Sequence, residues 1–322
     1  MSLQLLHYRA WQGTFGRPLW SVWPIARVAL ATLFRRRLFW VLYAAGLLLF
    51  LMFFFGAYLL DWVETMLPAT PIKIGKLSTE PERIVPILRQ GLRILNGSQE
   101  TFMYFFIYQS SMVMVVLTLA GSVLVGDDFT HRSLGFFLSK PIKRWHYLAA
   151  KCLAAGAVIN LLTTLPALVL FAQHGLDDWE YFTNPSFFIR AGTGKGPAGW
   201  PLLLGILGYG CALTVFLSLL LVTAASWLRR TMPLIMVWTS LFLFVRLLAG
   251  MLVDLKYGDR WRLIDMWNNL CVVGSWCLGF ENYTMGPAGQ PTFLEASLVL
   301  LGVCILCLIY LNLRTRAVEI VR

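Results

Sequence analysis

At 102–126 the chain reads FMYFFIYQSSMVMVVLTLAGSVLVG, and at 126–151 it continues GDDFTHRSLGFFLSKPIKRWHYLAAK. The first stretch is 25 residues without a charge. An α-helix rises about 1.5 Å per residue, so about 20 apolar residues cross the hydrocarbon of a bilayer. Lipid offers the backbone no hydrogen bonds, so such a segment is read as a helix that satisfies its own. The second stretch changes character at once. It carries Asp127 and Asp128, a short amphipathic piece, Pro141, and a basic cluster of Lys143, Arg144 and Lys151.

Outward from this pair the pattern repeats. Spans are expected at 38–60, 102–126, 152–172, 202–227, 231–253 and 293–313. The third contains Asn160, the fifth Arg246, and the sixth Glu295 near its start. The whole composition agrees: of 322 residues 58% are hydrophobic and 13% charged, with mean hydropathy +0.68. Soluble domains have roughly 25% charged residues. The expected fold is an all-α polytopic membrane protein with six transmembrane helices, forming one domain over residues 1–322. Trp20 to Phe34 (WSVWPIARVALATLF) places Trp20, Trp23, Val28, Leu30 and Phe34 among scattered Arg, as an amphipathic interfacial helix does.

Lys and Arg orient the chain. With the N-terminus inside, the inner segments hold 16 of them over about 75 residues, against 10 over about 109 outside. Both termini are therefore expected in the cytoplasm. Arg35, Arg36, Arg37, Lys143, Arg144, Lys151, Arg229 and Arg230 are the topology anchors. The formal charge of +11 is read as this inner-loop bias and not as a nucleic-acid footprint. In the outer loops, Arg83–Leu95 is a candidate short helix. The DMWNNLCVVGSWCLGF stretch at 265–280 has an apolar core, Leu270–Phe280, too short to span. It is read as an interfacial or re-entrant helical insertion before the last span.

Catalytic motifs are missing. The Gly192-Thr193-Gly194-Lys195-Gly196 run has Ile189 where a phosphate loop needs its first Gly, and Gly196 where it needs Ser or Thr. No His, Cys or carboxylate set has metal-ligand spacing, and no GxSxG occurs. The chain is read as no enzyme, with no directly bound cofactor or metal. Cys271 and Cys277, six apart on a helix, point away from each other, which argues against a disulfide. Arg246 lies seven residues from Val253, a depth from which its side chain reaches the outer headgroups.

The 127–144 loop has a more specific pattern. Leu134, Phe137 and Leu138 fall at i, i+3 and i+4, one face of a short helix. Asp128 or Thr130 suits its cap, and Pro141 closes it and opens the next helix. An apolar face on a short helix between two rigid spans is a handle for a partner.

Gly126-Asp127-Asp128, Arg132-Ser133-Leu134, Leu138-Ser139-Lys140-Pro141-Ile142-Lys143-Arg144, Tyr147 and Lys151 together resemble the coupling segment of ABC type-2 (exporter-class) permeases. Gly135-Phe136 departs from that family's usual Thr or Glu followed by Leu. The layout is similar too: an amphipathic N-terminal helix, six spans, a cytoplasmic coupling helix between spans two and three, and a short helical insertion before the last span. The resemblance implies the permease subunit of an ATP-driven exporter. It implies a separate dimeric ABC ATPase that holds ATP and Mg and contacts Asp127, Asp128, Arg132, Leu134, Phe137, Leu138 and Pro141. It further implies a second permease chain, identical or related, surrounding lipid, and a bacterial inner membrane. A membrane anchor or mechanical-signalling subunit without a transported substrate is the alternative. An ion-coupled transporter ranks third, since intramembrane carboxylates are confined to Glu295. No span has a patterned polar face that selects lipid, peptide, drug or ion.

Overall fold

The computed structural model describes residues 22–66, 72–74, 77–79, 95, 97–121, 123–124, 144–177, 179–186, 198–228, 231–280 and 290–316. Helices α1 (Val22–Phe34) and α2 (Arg37–Met66) come first, followed by a hairpin of two short strands, β1 (Ile72–Ile74) and β2 (Leu77–Thr79). The strands are antiparallel, with Ile72 opposite Thr79 and Ile74 opposite Leu77. Next are α3 (Gln99–Gly121), α4 (Arg144–Leu162), α5 (Thr164–Asp177), α6 (Glu180–Thr183) and α7 (Gly199–Leu228). The fifth span is α8 (Thr231–Thr239), a π-helical turn (Ser240–Phe244) and α9 (Val245–Asp254). A 3-10 turn (Asp259–Ile264) leads into α10 (Met266–Leu278), and α11 (Phe293–Arg316) ends the order. The candidate helix at Arg83–Leu95 falls outside the described residues except for Leu95.

Among the described residues, six helices are long and apolar enough to cross a membrane. The third, α4 with α5, runs over 32 residues at Trp145–Leu176, longer than the expected 152–172. At about 1.5 Å per residue it exceeds a roughly 30 Å hydrocarbon core, so its first turns stand in the headgroup region or beyond. The Arg144-Trp145-His146-Tyr147 sequence suits that position, because amphipathic aromatic rings favour the interface.

Composition makes the spans look alike, but packing separates them. More than half of the second, third and fourth spans is buried, against about a fifth of the first, fifth and sixth. The core is therefore α3, α4–α5 and α7, with the other spans around it. Phe105 sets its ring on Phe53 of α2 at 5.5 Å, and Phe106 meets Tyr209 of α7 at 4.8 Å. Gln109 of α3 donates to the Gly46 carbonyl of α2 at 3.2 Å.

Asn160 of α4 donates to the Thr214 hydroxyl of α7 at 2.9 Å and to its own helix at Gly156 O at 2.8 Å. The Thr214 hydroxyl itself donates to Gly210 O at 2.7 Å. Asn160→Leu therefore strands no donor on α7. Interhelical hydrogen bonds in membranes average about 0.6 kcal/mol. We expect Asn160→Leu to cost about 0.5–1 kcal/mol in a detergent-unfolding midpoint; a loss of several kcal/mol would contradict this account.

Helix α1 is amphipathic, but its buried face is Ile25, Ala26, Ala29 and Leu33, packed on α4. Trp23 and Val28, two of the apolar residues named above, are exposed. The helix thus has a packed face and a second apolar face on the outside. Trp40 of α2 donates from Nε1 to Phe34 O at 2.8 Å, covering an end carbonyl of α1.

Helix α10 has 13 residues, about 20 Å, and cannot span. The expected Leu270–Phe280 core extends back to Met266 because Asp265 caps the helix. Asp265 Oδ1 accepts from the amides of Trp267 at 2.9 Å and Asn268 at 3.2 Å. Gly279, at φ 72°, ends it in the left-handed conformation that glycine adopts without a Cβ penalty. Most of α10 is buried, against α7 and α11, while Trp276 is exposed and stacks on Phe293 at 4.1 Å. Glu295 serves as a cap: its carboxylate accepts from the Thr292 amide and hydroxyl, both at 3.0 Å, at the start of α11.

Candidate functional site at the base of the 125–143 loop

Asp127, Asp128, Arg132, Leu134, Phe137, Leu138, Pro141 and Lys143 lie outside the described residues, as do Arg229 and Arg230. The two bases of their loop are described. The chain leaves the core at Leu124, which is fully buried, and returns at Arg144, the first residue of α4.

These bases are joined by Lys151. Its ammonium donates to the Leu124 carbonyl oxygen and sits 5.5 Å from the centre of the Tyr147 ring. Lys151, named above as a topology anchor, is only 5% exposed, so its side chain is packed inside the protein. The physical reason lies in α4's own period. Tyr147, Leu148, Lys151, Ala154, Ala155 and Val158 recur at helical spacing and are all buried, so Lys151 falls within the packed stripe. The carbonyls at the end of a helix lack intrahelical partners and carry partial negative charge, which an ammonium complements.

Arg35, Arg36 and Arg37 are exposed between α1 and α2. They share an end of the molecule with the loop base. Gly46 pairs with Gln109 while Phe53 pairs with Phe105, so α2 and α3 run antiparallel. The start of α2 is therefore beside the end of α3. Asn160 meets Thr214, and Gly210 lies against Thr164, so α4 and α7 are antiparallel too. The end of α7 and the start of α8 thus return to the same end, and α9 finishes at the opposite one.

At that opposite end, Arg246 is exposed and shares a cavity of about 100 Å³ with Ala249, Gly250, Arg262, Asp265, Trp267 and Asn268. Burial pushes the Asp265 carboxyl above the usual carboxylate range, while its two amide hydrogen bonds and the Arg246 and Arg262 charges pull it back. Arg246 is legible near the end of its span; Arg262, in a 3-10 turn without helical period, and its meeting with Asp265, the cap that follows that turn, are not. At the same end of the bundle, Tyr181 is buried and donates to Gly97 O at 2.9 Å, and burial raises its phenol well above the ordinary value.

All six cysteines are thiols, so Cys271 and Cys277 form no disulfide. No group of three or more His, Cys, Asp or Glu fit to hold a metal occurs among the described residues.

Apolar helices around a buried core, with a short capped helix before the last of them, define a multi-pass membrane protein. The family model for ABC-2 family transporter proteins matches residues 23–258, well over half of the chain, and the protein belongs to that family. The match takes in α1 through α9 and the loop at 125–143, and α10 and α11 follow it. A search of curated proteins found no match.

Proposed function

We propose that this chain is the transmembrane subunit of an ATP-driven exporter in a bacterial inner membrane. A separate dimeric ATPase, which binds ATP and Mg, grips the 127–144 loop. A second permease chain completes the path. Closure of the ATPase pushes on the loop, and the push reaches the second and third spans as rigid-body motion.

The observation that carries this reading is the tie between Lys151 and Leu124. A handle transmits force only if its base is stiff. Here one buried side chain of α4 holds the departing end of α3, and both helices belong to the buried core. The apolar set Leu134, Phe137 and Leu138, flanked by Asp127, Asp128 and Arg132, is the surface offered to the partner.

Co-purification with its ATPase partner tests this. Leu134→Asp or Phe137→Asp puts a charge into an apolar contact and is expected to weaken the complex about tenfold, or 1–2 kcal/mol. The unfolding midpoint of the permease alone should stay unchanged. An intact complex with full ATP-dependent function in both variants would overturn the proposal.

A further inference from the structure

We propose that the outward face of α1 and the elbow between α1 and α2 dock onto the headgroups of anionic phospholipids. Four Arg carry the charge. Arg27 stands on α1, and Arg35, Arg36 and Arg37 form the elbow; all four are exposed. None forms an ion pair with a carboxylate among the described residues. The first acid in the chain is Asp61, 24 residues beyond Arg37. At about 1.5 Å per residue that is about 36 Å along α2, toward its far end. The elbow is therefore a cationic site that neither of its own helices answers with an acid.

Apolar side chains fix its depth. Trp23, Val28 and Phe34 are exposed on α1, on the other side of the helix from Ile25, Ala26, Ala29 and Leu33, which pack on α4. Leu38, Trp40 and Val41 are exposed on α2 directly after the Arg run. Val41 is only about 6 Å along α2 from Arg37. The Arg run thus stands about one turn from the surface that meets acyl chains, at the level of lipid phosphates. A helix with Trp, Val and Phe beside Arg on its outward face settles at that boundary, apolar groups in and guanidinium reaching up.

The elbow is also rigid. Trp40 bonds Phe34 O, the Phe39 amide donates to Arg36 O at 3.1 Å, and the rings of Phe34, Phe39 and Trp40 pack on one another, Phe34 and Phe39 at 5.1 Å. Three consecutive guanidinium groups are presented from a fixed backbone, and each planar fork fits phosphate oxygens. A zwitterionic lipid offers a phosphate too, but its ammonium cancels the charge, so a run of Arg gains most from a net anionic headgroup. Lipid bound there holds α1 against α4, the helix whose Lys151 closes the loop base.

The test uses the purified full-length chain and native mass spectrometry from micelles holding equal phosphatidylglycerol and phosphatidylcholine, and needs no ATPase. The wild type should retain phosphatidylglycerol about tenfold or more over phosphatidylcholine, and raising the ionic strength should narrow that ratio. Arg27→Gln should lower the ratio about fivefold, the effect of one basic residue at an anionic surface. The triple variant Arg35→Gln, Arg36→Gln, Arg37→Gln should bring it close to one. The matching triple change to Lys keeps the charge and should keep most of the preference. A ratio unchanged in the triple Gln variant overturns the proposal, and Arg27→Gln decides by the same criterion if that variant does not fold. Inorganic phosphate lowering the ratio more than chloride does at equal ionic strength also overturns it, since the site would then take a free anion.

Discussion

Lys151→Met is expected to lower the stability of the permease by about 2–4 kcal/mol and to uncouple it from its ATPase. Met matches the length and apolar stem of Lys, so little volume is lost. What goes is the ammonium that meets the Leu124 carbonyl and the Tyr147 ring. An unpaired buried carbonyl costs about 1–3 kcal/mol, and breaking a buried charged contact costs more than an exposed one. Lys151→Arg keeps the charge and should recover part of the stability, since guanidinium also donates to a carbonyl. Detergent-unfolding midpoints measure the first effect. ATP-dependent activity of the reconstituted complex measures the second. An uncoupled complex whose permease is as stable as wild type would assign Lys151 to partner contact alone. An unchanged midpoint together with full activity would remove the tie from the mechanism.

The same residue shows how far the sequence can be read. Six spanning helices are legible because the bilayer imposes one length and one chemistry on each. Their burial is not, because lipid and protein interior are equally apolar. α2 and α7 have similar composition, yet α7 is largely buried and α2 is not. Lys151 reads as a topology anchor because it follows Lys143 and Arg144, and charge counting treats all three alike. Only its position in the Tyr147–Leu148–Ala154–Ala155 stripe reveals that it faces inward. Asp265 is legible as a cap, three residues before Asn268 at the head of an apolar run. Its meeting with Arg246 and Arg262 is not, since that depends on how α9 folds back through an irregular turn. The apolar face at 134–138 was readable from spacing; it lies outside the described residues.

The other large effect is expected at the crossing of α7 and α10. A Cβ added to Gly205 would press into the Cys277 carbonyl oxygen and stand 3.0 Å from its carbon and 3.2 Å from Leu278 Cα. All three atoms are backbone, so no rotamer change relieves the contact. The helices meet there only because position 205 has no side chain, as small residues permit in membrane bundles. Gly205→Ala should cost about 1–3 kcal/mol, the usual range for overpacking. Gly205→Val adds two more carbons at the same point and should cost at least about 3 kcal/mol or abolish folding. Gly208, almost one turn on, is the internal control. Its added Cβ would meet only Cys277 Sγ at 3.8 Å, ordinary contact. Gly208→Ala should therefore be neutral or gain up to about 1 kcal/mol from helix propensity. Unfolding midpoints and the monodisperse fraction on size exclusion order the variants. Equal midpoints for Gly205→Val and Gly208→Ala would mean that α10 is not seated against α7. Its burial, and the Asp265 cap that holds the Arg246–Arg262 cavity together, would then need another explanation.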